Sequence, residues 1–247
     1  MVTLVIMDGF GIRKEEYGNA VKLQGTPNLK RLKSEYPYTQ IEASGQAVGL
    51  TAGQMGNSEV GHLNLGAGRV VFQDLSRINN AIKDKSFFEN KVLNESCDFA
   101  NKNNSTLHLM GLCSNGGVHS HIDHLKALID LSQTKKCRDV VLHLFLDGRD
   151  TYIDSGLGFV QEIAEYIKDK NVKIGSLCGR VYAMDREKRY DRVQKAYEML
   201  TSQGVGNVTY EQAFKESYAN KVYDEFFLPT KLIDFEPIKD NDSVIFF

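Results

Sequence analysis

One hydroxyl stands between glycines in the run Gly53-Gln54-Met55-Gly56-Asn57-Ser58-Glu59-Val60-Gly61-His62. A serine in such a setting can present its oxygen beside free backbone N–H groups, which suits attack on phosphorus. The same position equally suits a helix N-cap, and local pattern does not separate the two. As a nucleophile Ser58 needs an activator. Asp8 is the partner of matching type, because a carboxylate and a serine oxygen can share a hard divalent cation that lowers the hydroxyl's pKa. Asp8-Gly9 is also an ordinary turn signal. A second set of groups lies further along. His119 follows Gly116-Gly117 at the start of a helical pattern, where an imidazole and backbone N–H groups can converge on one phosphate. His121 and His124 lie close by, but no cysteine or paired carboxylate completes a metal site, so they read as packing or capping residues. Arg149 and Asp150 follow an apolar run and put a guanidinium fork and a carboxylate at one strand end. Between 180 and 192 lie Arg180, Arg186, Lys188, Arg189 and Arg192 against Asp185, Glu187 and Asp191, a mix that ordinarily describes a solvated helix face.

The elements that must position these groups are legible from period and punctuation. Residues 2–7 are a continuous apolar run ending in Asp8-Gly9-Phe10-Gly11, the pattern of a buried strand and tight turn, apolar on both faces and so expecting helices on each side. A helix follows Thr26, with Thr26 as N-cap and Pro27 at its first position. Residues 45–68 carry seven glycines, at 45, 49, 53, 56, 61, 66 and 68, more than turning requires; close backbone approach is the expectation. Beyond residue 75 the period alternates: an amphipathic stretch over 75–83, strands over 106–110, 140–146 and 172–177, helices over 121–132, 156–168 and 191–201. Strands alternating with helices of this length predict an α/β fold with a mostly parallel sheet. Ligands of such sheets sit at the strands' carboxyl ends. A last strand, 242–247, runs to the end of the sequence, as a truncated element would.

The apolar fraction of 42%, the charged fraction of 25% and the net charge of −2 are those of a globular chain able to bury a core, without a basic balance for nucleic acid. No apolar run approaches the roughly 20 residues of a membrane span, and no secretory signal pattern opens the chain. The four cysteines are far apart with no C-x-x-C pair, so reduced thiols and a cytoplasmic setting are expected.

The runs Met7-Asp8-Gly9-Phe10-Gly11, Gly18-Asn19-Ala20, Thr26-Pro27-Asn28-Leu29 and 54–64 (Gln-Met-Gly-Asn-Ser-Glu-Val-Gly-His-Leu-Asn) resemble, in order and spacing, the 2,3-bisphosphoglycerate-independent phosphoglycerate mutases of the alkaline phosphatase superfamily. Three further runs extend the resemblance over the whole chain: Ser114-Asn115-Gly116-Gly117-Val118-His119-Ser120-His121, Leu146-Asp147-Gly148-Arg149-Asp150 and Gly179-Arg180-Val181-Tyr182-Ala183-Met184-Asp185-Arg186. The resemblance implies residues 1–72 as the N-terminal part of a metal-binding phosphatase domain and residues 73–247 as a glycerate-binding transferase domain, truncated at its end. It implies interconversion of 3-phosphoglycerate and 2-phosphoglycerate through a phosphoserine at Ser58, by a monomer acting on a small molecule. Substrate binding falls to His119, Arg149, Asp150, Arg180 and Arg186, and proton transfer at the glycerate hydroxyl to Asp150. Lys188, Arg189 and Arg192 are left to the surface. Two manganese ions serve the family's reaction; Asp8 and Ser58 match two ligands of one of them, and the other ligands belong to a part of the family's chain beyond residue 247. Two alternatives accompany this expectation: a non-catalytic substrate-binding fragment, and a metal-dependent phosphatase of the same superfamily.

Overall fold

The computed structural model describes residues 1–247, which divide into two compact units, Met1–Ser76 and Arg77–Phe247. The division falls inside a helix, a little past the boundary at 72 and 73 drawn from the sequence.

The first unit is helical and thinly packed. Its helices are α1 (Ala20–Gln24), α2 (Pro27–Glu35) and α3 (Ser58–Ala67), and α4 (Asp74–Asp84) begins at its end. Thr26 and Pro27 open α2 as expected, although the Thr26 side chain makes no capping bond. The strand expected over 2–7 is not formed: this stretch has no regular structure and is exposed throughout, with Val2 at 98% and Val5 at 76%. The physical reason is hydrogen bonding. A strand's backbone groups are satisfied by a neighbouring strand, and this unit contains none. Asp8 therefore stands in a turn rather than at a strand end, with Gly9 at φ 75°. The unit's apolar cluster consists of Val48, Leu50 and Val60. Close backbone approach does explain two of the glycines, within the unit's own chain: a Cβ at Gly49 would stand 2.0 Å from the Val71 carbonyl oxygen, and one at Gly56 would stand 1.8 Å from that of Ala43.

The second unit carries α5 (Lys91–Asn103), β1 (Leu107–Leu112), α6 (Ile122–Thr134), β2 (Val140–Leu146), α7 (Gly156–Ile167), β3 (Lys173–Gly179), the short α8 (Arg180–Ala183), α9 (Tyr190–Thr201), α10 (Tyr210–Ala219), β4 (Thr230–Lys231) and β5 (Ser243–Phe246). The strands form one sheet in the order β4-β3-β2-β1-β5, parallel except for the short antiparallel β4. Every residue of central β2 is buried, as a strand apolar at every position but His143 and covered on both faces requires. Alternation along it assigns the faces: Leu142, Leu144 and Leu146 join the main core with Leu125, Ile129 and Ile163, while Phe145 joins a smaller cluster with Leu112, Cys178, Ala196 and Met199. The sequence pattern had not singled out α5, α10 or β4. Across the sheet runs a buried polar chain. Asp242 Oδ2 lies 3.2 Å from His108 Nε2, His108 Nδ1 lies 2.9 Å from His143 Nε2, and His143 Nδ1 lies 2.8 Å from Ser176 Oγ. Burial, with His108 beside it, pushes the His143 pKa down to about 3. All four cysteines are buried free thiols, and no helix is long and apolar enough to cross a membrane.

Candidate functional site

Three adjacent parallel strands, β1, β2 and β3, end side by side, and the chain leaving each of them delivers a charged or polar group. Beyond β1 come Ser114 and His119, beyond β2 Asp147, Arg149 and Asp150, and directly beyond β3 Arg180. This is the carboxyl edge where parallel sheets gather ligand groups.

Asp147 organises the edge. It is buried, and its carboxylate accepts from the Ser114 hydroxyl at 2.7 Å, from the backbone N–H of Asp150 at 2.9 Å and of Arg149 at 3.2 Å, and from Arg180 Nη1 at 2.7 Å. Burial by itself would raise its pKa. The donors converging on it, led by the Asp150 N–H, outweigh burial and hold it below the usual carboxylate range. Arg180 also donates to Asp150 Oδ2 at 2.6 Å. Breaking a buried cluster of this kind by removing one partner costs about 3–5 kcal/mol, because the remaining charge is stranded. Asp150 faces His119 in turn, Oδ2 to Nε2 3.7 Å.

Around this cluster opens a cavity of about 380 Å³ whose lining includes His119, Arg149, Arg180 and Arg186, together with Arg192 and Glu225. The structure thus brings His119 and the three arginines expected to bind substrate, Arg149, Arg180 and Arg186, into one cavity wall, with Asp150 bonded to Arg180. Their electrostatic states differ. Arg180 is tied to two aspartates, Arg149 Nη1 is 3.1 Å from Glu225 Oε1, and Arg192 is 3.4 Å from Asp185 Oδ1 and 3.2 Å from Glu187 Oε2. Arg186 has no carboxylate within ion-pair distance and is exposed toward solvent.

Several sequence expectations are corrected. His119 does not start a helix; it lies in the loop before α6, whose N-cap is His121, accepting from the Asp123 N–H at 3.2 Å. His124 is buried against Asn79, Nε2 to Oδ1 2.7 Å, and burial pushes its pKa down to about 4, so it packs as expected. Arg192, left to the surface, lines the cavity because the first turn of α9 faces back to it. Asp147 stood in a motif without a role, and Glu225 and Phe226 stood in no motif; nothing local in Tyr223-Asp224-Glu225-Phe226 marks them as cavity residues.

In the first unit, Ser58 Oγ donates to Asp8 Oδ2 at 2.6 Å and lies 3.2 Å from His62 Nδ1. His62 Nδ1 is 2.8 Å from the Ser58 carbonyl oxygen, an acceptor only, so Nδ1 carries the proton. The N-cap alternative for Ser58 is excluded: Asn57 caps α3, accepting from the Val60 N–H at 3.0 Å, and Ser58 is the first helical residue. Asp8 and Ser58 come together as the expected pair, but they are exposed, and no group of three or more His, Cys, Asp or Glu side chains able to hold a metal ion surrounds them. A hard dication takes about six ligands, so the donors of this chain do not by themselves make a manganese site.

Comparison with known proteins places the chain in a family. A family model described as BPG-independent PGAM N-terminus matches residues 78–247. The 2,3-bisphosphoglycerate-independent phosphoglycerate mutase of Clostridium tetani is 52% identical over 253 residues, covering 100% of this chain and 49% of that protein. The corresponding protein of Clostridioides difficile is 51% identical, with the same coverage. Among solved structures, the phosphoglycerate mutase of Leishmania mexicana, studied at low cobalt concentration, superposes with a TM-score of 0.72 at 29% identity, covering 89% of this chain and 43% of that one. The chain spans about half the length of the curated relatives it matches. Matched along its whole length at this identity, the chain belongs to the family of 2,3-bisphosphoglycerate-independent phosphoglycerate mutases.

Proposed function

We propose that this chain carries the serine nucleophile and the glycerate-binding surface of an enzyme that interconverts 3-phosphoglycerate and 2-phosphoglycerate in glycolysis. The observation that carries the reading is the single cavity lined by His119, Arg149, Arg180 and Arg186. A phosphoglycerate presents a carboxylate and a phosphate, both of which arginine forks bind bidentately. Arg186, the unpaired guanidinium, is the first to take an anionic group. Arg149 follows, and Arg180 holds Asp150 in place at the glycerate hydroxyl, where Asp150 takes up and returns the proton. Ser58 Oγ forms the bond to phosphorus as the bond to the glycerate oxygen breaks, Asp8 accepts the hydroxyl proton, and the phosphoryl group then returns to the other glycerate hydroxyl with that proton restored to Ser58. Manganese is the metal that the family resemblance brings; because Asp8 and Ser58 alone fall short of a site for it, the steps above are those of the chain's own residues. The protein is proposed to act as a cytoplasmic monomer.

The incomplete donor set favours a second, narrower reading for the 247 residues alone, that they bind phosphoglycerate without turning it over. A plain metal-dependent phosphatase leaves the arginine cavity without a purpose.

The test is titration calorimetry of the 247-residue chain with 3-phosphoglycerate and with inorganic phosphate. Millimolar-range binding of 3-phosphoglycerate, tighter than phosphate, is expected, and Arg186→Ala should weaken it by about tenfold or more, the loss of a charge-assisted hydrogen bond worth roughly 1.5–3 kcal/mol. Equal affinity for both anions, or binding untouched by Arg186→Ala, rejects the reading.

A further inference from the structure

The acid closest to Arg149 is not in any of the motifs. Glu225 sits on a 3-10 turn, Asp224–Phe226, and its backbone is wedged against the two strand ends from which Arg149 and Arg180 emerge. A Cβ at Gly148 would stand 2.7 Å from the Glu225 nitrogen, and one at Gly179 would stand 2.5 Å from the Glu225 carbonyl oxygen. The turn is pinned from beneath as well. Asp224 is fully buried, accepts from the Gly156 N–H at 2.6 Å and from the Tyr218 hydroxyl, and its own N–H donates to the Ile153 carbonyl at 3.0 Å. Gly179 N–H donates to the Phe227 carbonyl at 2.7 Å, closing the far side. Glu225 is thus held at a fixed point beside Arg149 and is only partly exposed, at 21% for its side chain.

We propose that Glu225 is the resident counter-ion of Arg149: its carboxylate holds the guanidinium until the anionic group of a phosphorylated ligand displaces it, and its charge limits how tightly and how selectively the cavity takes anions. The charge balance of the wall supports this. Arg149, Arg180 and Arg192 each have a carboxylate in contact, so an incoming trianion meets one free guanidinium and must exchange acids for its own oxygens elsewhere. Asp147 and Asp185 are nearly inaccessible, at 2% each, and cannot swing into water; Asp150 and Glu225, at 21% each, and Glu187, at 68%, can, and of these Glu225 is the one paired with Arg149. An anion that stays near the displaced carboxylate is repelled in proportion to its own charge, so a doubly phosphorylated glycerate is penalised more than a singly phosphorylated one. The inference rests on the proposed function only for the identity of the ligand.

The experiment is calorimetry on the full 247-residue chain with three probes, inorganic phosphate, 3-phosphoglycerate and 2,3-bisphosphoglycerate, for wild type, Glu225→Gln, Arg149→Ala and the double variant. Glu225→Gln is isosteric; Glu225→Ala replaces it should its circular dichroism depart from wild type. The expected result is that Glu225→Gln tightens 3-phosphoglycerate by about two- to fivefold, an exposed pair's worth, tightens 2,3-bisphosphoglycerate more, and does nothing in the Arg149→Ala background. Unchanged or weaker binding in Glu225→Gln, or an equal gain with Arg149 absent, overturns the counter-ion role. A wild type that binds 3-phosphoglycerate no better than phosphate rejects the proposed function instead, and the phosphate arm still decides the role of Glu225.

Discussion

Two apolar runs in this chain, residues 2–7 and residues 140–146, are nearly interchangeable as sequence, and the two units make opposite use of them. In the second unit Val140–Leu146 is the middle of a five-stranded sheet with every side chain buried. In the first, residues 2–7 pair with nothing and expose their side chains. The difference teaches that an apolar run specifies a capacity for burial, and that strand formation needs a partner to take the backbone hydrogen bonds. The candidate groups follow the same division. Asp147, Arg180 and Asp150 form a mutually satisfied, largely buried cluster in the sheet-based unit, whereas Asp8 and Ser58 meet through one exposed hydrogen bond in the other.

Amide hydrogen exchange should display the largest effect of this contrast. Exchange within β2 should require global opening of the second unit, while amides of residues 2–7 should exchange at near-unfolded rates, slower in β2 by several orders of magnitude. Comparable protection in both runs would break the comparison.

Truncation of core side chains comes next. Leu144→Ala, at a fully buried position, should destabilise the second unit by about 2–5 kcal/mol in urea unfolding, the usual loss for a leucine with its cavity. Val5→Ala should change stability by less than about 0.5 kcal/mol, as exposed substitutions do. A cost at Val5 matching that at Leu144 would mean that residues 2–7 are buried after all.

Asp224 sharpens the comparison through pH. Burial, the largest influence, raises its pKa from 3.8 to about 6, against the hydrogen bonds from Tyr218 and Gly156. The folded state therefore keeps a proton that the unfolded chain releases, so the contribution is fully present below about pH 4 and is lost as pH rises through about 6. Its full span is on the order of 3 kcal/mol. Asp224→Asn preserves a side-chain oxygen for the Gly156 N–H and has no charge to bury. The stability of this variant relative to wild type should rise between pH 4 and 7; a constant difference would remove Asp224 as a buried titrating group.

The smallest effect concerns Ser58 itself. Because its hydrogen bond to Asp8 is exposed, Ser58→Ala should alter the folding stability of this chain by less than about 0.5 kcal/mol. A loss of 2 kcal/mol or more would show a structural role that the geometry does not suggest.

Much of this protein is determined by its sequence taken alone. The family could be read from the serine run and from the Arg149-Asp150 and Arg180–Arg186 motifs, because those residues carry type and spacing together. The alternation of β1, α6, β2, α7 and β3 was legible because a two-residue period and a 3.6-residue period are local properties. Tertiary structure decided the rest, for reasons of distance. Whether residues 2–7 become a strand depends on a neighbour the pattern does not name. Asp147 becomes the organiser of the site only once strand ends 33 residues apart in sequence lie side by side. Glu225 reaches Arg149 across 76 residues through a turn wedged against two glycines. Sequence spacing records which groups a chain possesses, and packing across the sheet decides which of them share a charge.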